Sequence, residues 1–83
     1  MEFRTLRSLF DGGMLACAVV APVPLKDNEY NLFFIKSDGG NVWMTYARTA
    51  KPKTYKTLDS ASHDAGRVGF RKITVELPVM MAS

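Results

Sequence analysis

Residues 30 to 49 read YNLFFIKSDGGNVWMTYART, and the fold turns on them. Tyr30 to Lys36 is dense in aromatic and β-branched side chains, the composition of a strand. Ser37 to Asn41 (SDGGN) follows as a hairpin loop. Asp38 and Asn41 accept local backbone hydrogen bonds there, and Gly39 and Gly40 take positive φ at little cost. Val42 to Thr49 returns as the partner strand. Both alternation sets of this hairpin are apolar: Leu32, Phe34, Val42 and Met44 can face one side, Phe33, Ile35 and Trp43 the other.

Upstream, Thr5 can cap a helix of at most two turns whose apolar positions Leu6, Leu9 and Phe10 fall on one face, with Gly12 and Gly13 as its stop. Met14 to Val23 has no polar residue and reads as a strand buried on both faces, closed by Pro22 and Pro24. Downstream, Ala50 to Lys56 (AKPKTYK) is either a loop or a short edge strand guarded by charge. Thr57 opens a second helix with Asp59 in its first turn and a stripe of Leu58, Ala61, Ala65 and Val68, and Gly69 ends it. Ile73, Val75 and Leu77 alternate with Thr74 and Glu76 as a last strand with one buried face, and the tail from Pro78 to Ser83 frays or packs on a partner. The expected architecture is α+β: one domain over residues 1 to 83, in the order α-β-β-β-α-β, with a small antiparallel sheet of three to four strands packed by two short helices.

Composition bounds what such a chain can be. At 83 residues, 47% hydrophobic and 23% charged, it is one small globular domain and not a multidomain enzyme. A chain this short buries only about 60% of its unfolded surface, so completing its core by homodimerisation is a natural outcome. The single cysteine, Cys17, permits no intrachain disulfide and points to a reducing compartment, by default the cytoplasm. No apolar run approaches the roughly 20 residues that cross a bilayer, so no membrane association is expected.

Catalysis finds little to build on. His63 is the only histidine and lies on a helix between Ser62 and Asp64, where consecutive side chains diverge and cannot form a relay; it reads as a surface or half-buried residue. Cys17, within ACAVV, reads as a small buried hydrophobe. No metal-ligand cluster accompanies Asp59 and Asp64, and the expectation is a non-enzymatic protein without metal or cofactor.

Two surfaces invite partners instead. Two short helices cover only one sheet face, so Tyr30, Phe33, Ile35, Trp43 and Tyr46 form a candidate dimer or partner face. Charge is also local within the net +3: residues 48 to 72 carry Arg48, Lys51, Lys53, Lys56, Arg67, Arg71 and Lys72 against Asp59 and Asp64 alone. Arg48, Lys51, Lys53 and Lys56, with Arg71 and Lys72 assisting, could lie along a phosphate backbone. Four phosphate contacts would give a log-log salt slope of about −3.6. The plainer reading of the same lysines is protection of a sheet edge.

The segments RTLRSLFDGGMLACAVV, KTYKTLDSA and VGFRKITVEL together resemble the ParC-like, partition-associated group of small plasmid-encoded accessory proteins. The likeness spans most of the chain and rests on structural motifs. It implies a role beside a plasmid partition or transfer system, with a partition ATPase or its DNA-binding partner as the contact. The order of three strands and a helix with a basic third strand is similar, more narrowly, to the arm-site DNA-binding domain of tyrosine recombinases, in which the cations of residues 48 to 56 would approach DNA. The first two strands here are apolar where such readers display polar groups. The expected function is thus an interaction protein of a mobile element; alternatives are a sheet-based DNA-binding protein and an inhibitor docking on a host or competing-element protein.

Overall fold

The computed structural model describes residues 2–24, 26, 28–46, 49 and 51–76. Helix α1 (Phe3–Asp11) starts from Glu2, whose carbonyl accepts from the Leu6 amide at 3.1 Å, so Thr5 lies inside the helix and is not its cap. Phe3 extends the apolar face by a turn and draws the start back to it. At the other end Gly13, at φ 75°, lets its amide reach the Phe10 carbonyl at 3.0 Å and the Met14 amide reach that of Leu9 at 2.9 Å. This paired closure satisfies carbonyls the last turn would otherwise leave open.

Strands β1 (Leu15–Pro22) and β2 (Tyr30–Lys36) pair antiparallel, with a bulge between Leu15 and Cys17. The hairpin loop forms as expected, with the Gly40 amide donating to Asp38 Oδ1 at 2.9 Å, but only Gly39 adopts positive φ. The partner strand β3 is shorter than expected, Asn41–Trp43. After it the chain makes an excursion. Thr45 bridges Pro52, the Tyr46 amide donates to the Lys51 carbonyl at 3.2 Å, and β4 (Thr54–Tyr55) returns to the same edge of β2 beside Tyr30 and Asn31. The expected strand Val42 to Thr49 thus stops at Trp43, while β4 falls within Ala50 to Lys56, where a short edge strand was one of the two readings; Pro52, which has no N–H to donate to a ladder, lies between them.

Helix α2 (Leu58–Val68) then carries the chain from the β4 edge over the sheet to β5 (Thr74–Val75), which lies parallel to β1. The sheet is therefore mixed and five-stranded, in the order β3-β2-β1-β5 with β4 also on β2. The α+β class holds, while the strand number, the order α-β-β-β-β-α-β and the all-antiparallel expectation are corrected. Thr57 caps α2 through Oγ1, which accepts from the Ser60 amide at 3.1 Å.

Both helices lie on one face. Leu6 of α1 and Ala61, Ala65 and Val68 of α2 bury against Ala18, Val20, Leu32, Phe34, Met44 and Tyr55. The alanines let α2 approach the sheet closely. Leu58, expected in the stripe, is 38% exposed, and the buried face of α2 begins at Ala61. Val75 is also exposed, and Leu77 with the tail from Pro78 lies outside the described residues.

Candidate interaction surface

Cross-strand partners point to the same side of a sheet, so the register defines the face opposite the helices. One row runs Asn41, Ile35, Cys17; the next runs Trp43, Phe33, Val19, Thr74; the third runs Thr54, Asn31, Ala21. The Phe33 and Trp43 rings pack with centroids 4.7 Å apart, and Trp43 is 40% exposed. None of these rows contains Lys, Arg, Asp or Glu. No helix covers this face among the described residues.

Of the five aromatic and aliphatic residues expected on it, Phe33, Ile35 and Trp43 are there. Tyr30 is not: it pairs with Tyr55 and packs against the helix-side core. Tyr46 stands at the rim, exposed, where its hydroxyl lies 3.3 Å from Thr54 Oγ1 and accepts from the Thr54 amide at 3.3 Å; these bonds hold its phenol below the usual tyrosine range. Cys17 is exposed, a correction to its reading as a buried hydrophobe. The reading of β1 as buried on both faces fails at Ala16 and Cys17, which are exposed, and holds at Ala18, Val19 and Val20, consecutive residues that are all buried.

The expected basic surface is divided. Lys51 and Lys53 precede β4 and Lys56 follows it, at one sheet edge, whereas Arg71 and Lys72 lead into β5 at the other. Three strand spacings, about 14 Å, separate the edges. Lys53 Nζ is 2.9 Å from Asp64 Oδ2 and Lys56 Nζ is 3.8 Å from Glu29 Oε1, so two of these cations already face carboxylates; Arg48 lies outside the described residues.

Asp64 is the group the sequence reading passed over. It is almost buried, on the side of α2 that faces the sheet, and Oδ2 accepts from the Tyr55 hydroxyl at 2.7 Å as well as from Lys53, while Arg67 Nη1 lies 3.6 Å from Oδ1. Burial alone would raise the Asp64 carboxyl; the bonds from Tyr55 and Lys53 outweigh it and hold the group below the usual carboxylate range. Burial, then the bond to Asp64 and its charge, push the Tyr55 phenol upward. A signal existed: Ala61, Asp64, Ala65 and Val68 share one helical face, so an acid on that stripe needs partners. Arg67 also stacks on Phe3, its guanidinium carbon 4.3 Å from the ring centre, which ties α2 to α1.

This cluster serves itself. Among the described residues every buried side-chain nitrogen and oxygen has a partner, and no group of three or more His, Cys, Asp or Glu could hold a metal ion. His63 is exposed on α2. No helix among the described residues is long and apolar enough to cross a membrane. Comparison with protein-family models, with curated proteins and with solved structures finds no match for this chain.

Proposed function

We propose that this domain is a non-enzymatic interaction protein that works as a homodimer, joined through the sheet face that carries Phe33, Ile35 and Trp43. The observation behind this reading is that an apolar centre on that face is flanked by Asn31, Asn41, Thr54 and Thr74, without a charged side chain in any row. A surface without cations gains nothing from counterion release on nucleic acid. Two copies of it suit one another, because apolar centre meets apolar centre while amides and hydroxyls can bond across, the self-complementarity a twofold interface needs. The resemblance of RTLRSLFDGGMLACAVV, KTYKTLDSA and VGFRKITVEL to ParC-like accessory proteins supports a cytoplasmic role beside a plasmid partition or transfer system, where a partition ATPase or its DNA-binding partner would be the dimer's contact.

Light scattering over a range of protein concentrations tests the dimer, with Trp43 emission read in the same samples. The expected result is a mass of two chains and a blue shift as the dimer fills. Ile35→Lys, with its fold checked by circular dichroism, should return the mass to one chain. A wild-type mass of one chain at the highest concentration reached would overturn the reading.

A further inference from the structure

A cavity of about 490 Å³ opens between the start of α1 and the chain that leaves β3, and it is more enclosed than the clefts beside Cys17 and His63. That volume lies within the roughly 300 to 1,000 Å³ usual for small-molecule sites. Phe3 and Tyr46 give it aromatic walls, and Met44 backs it. Arg4 from α1, Lys53 from the approach to β4 and Arg67 from α2 bring their cations to the same space.

Each of these cations has donors to spare. Lys53 gives one N–H to Asp64 Oδ2 at 2.9 Å and keeps the others of its ammonium group. Arg67 Nη1 lies 3.6 Å from Asp64 Oδ1, near enough for charge but too long for a hydrogen bond, and its guanidinium carbon sits 4.3 Å from the Phe3 ring centre. Arg4 is exposed, with no partner among the described residues. The described lining also holds Glu2 and Asp64, so these three cations leave it one formal positive charge in excess, and Asp64 Oδ2 is already answered by Tyr55 and Lys53. Asp64 and Phe3 hold Lys53 and Arg67 in place beforehand, which lowers the cost of ordering them around a ligand.

We propose that this cavity binds a small aromatic monocarboxylate, whose carboxylate meets Arg4 and Arg67 with Lys53 beside them while its ring lies against Phe3 and Tyr46. A guanidinium fork matches a carboxylate in two parallel bonds, and the aromatic walls suit a flat apolar body. The single excess charge selects a singly charged group, since a second negative charge would face Glu2 and Asp64. The cavity lies on the helix side of the sheet, away from Phe33, Ile35 and Trp43, so this site stands or falls independently of self-association.

The probe is naphthoate, titrated into isotope-labelled protein and followed by nuclear magnetic resonance at the Arg4 and Arg67 side-chain Nε–H groups and the Thr45 amide. Saturable shifts at these groups are expected, with the neutral isostere naphthamide binding at least about tenfold more weakly. Arg4→Gln, at an exposed position outside the core, should weaken naphthoate about tenfold through loss of its charged hydrogen bonds. Lys72→Gln, at the opposite sheet edge, should leave it unchanged. The proposal is overturned by naphthamide binding as tightly as naphthoate, by Arg4→Gln binding like wild type, by naphthyl phosphate binding more tightly, or by the absence of saturable shifts at the arginines. Shifts confined to Phe33 and Trp43 would overturn it as well, since the ring would then be adsorbing to the dimer face.

Discussion

Asp64 shows how one residue can set a stability profile. Its carboxylate is almost buried and accepts from Tyr55 and Lys53, so replacing it by Asn keeps the shape while removing the charge Lys53 answers. Leaving such partners under-satisfied costs about 1 to 3 kcal/mol. The pH dependence has a definite sign. The folded-state pKa lies below the ordinary 3.8, so the contribution is present in full above that value and is lost as pH falls through the folded pKa. Urea midpoints at neutral pH should thus be lower for Asp64→Asn than for wild type, and the two should converge as the pH drops well below 4. A constant gap between them down to the most acid condition would show that the charge contributes nothing. Tyr55 acts in the opposite range: its phenol is raised above 10, so its contribution is intact up to that pH and fades at higher alkalinity.

At the scale of elements, the junction after α2 carries more constraint than either element it joins. Gly69 sits at φ 135°, and a Cβ there would collide with the Phe10 ring, which Phe70 in turn packs against. Gly69→Ala therefore suffers both backbone strain and a clash that shifts α1, and it should cost about 2 kcal/mol or more by urea denaturation. Gly39→Ala, at φ 97° with nothing within 4 Å, is the control for strain alone and should cost less. Equal losses at the two sites would remove the clash from the account. The hairpin, the Thr57 cap and the Gly69 stop were legible in the sequence because each depends on residues close together in the chain. The early end of the third strand was not, because it depends on where Thr45 meets Pro52, and neither was the parallel placement of β5, which follows from α2 crossing the whole sheet; the short edge strand at Thr54 and Tyr55 was one of two readings open for that segment. The Asp64 cluster joins β4 to α2 and was hidden for the same reason. The open face was legible from alternation, which places Phe33, Ile35 and Trp43 together and puts Tyr30 with Leu32 and Phe34 on the opposite side, where it pairs with Tyr55.

For the whole molecule, the two-layer plan puts α1 and α2 on one side, and under the proposed dimer the other side is closed by association, so stability and oligomeric state become one quantity. If folded chains are held as dimers through that face, mass action makes the unfolding midpoint rise with protein concentration, because only the native state can pair. Cys17 offers an independent reading of the same equilibrium. Its thiol is exposed in the single chain and lies in the Asn41, Ile35, Cys17 row of the proposed interface. Alkylation by a small thiol reagent should then slow as concentration rises, and Ile35→Lys should restore the fast rate at every concentration. The cysteine reports cover and the midpoint reports free energy, so both must follow one dissociation constant. A thiol that reacts equally fast at all concentrations, in a protein whose midpoint does not move, would leave this face uncovered in solution and remove the dimer.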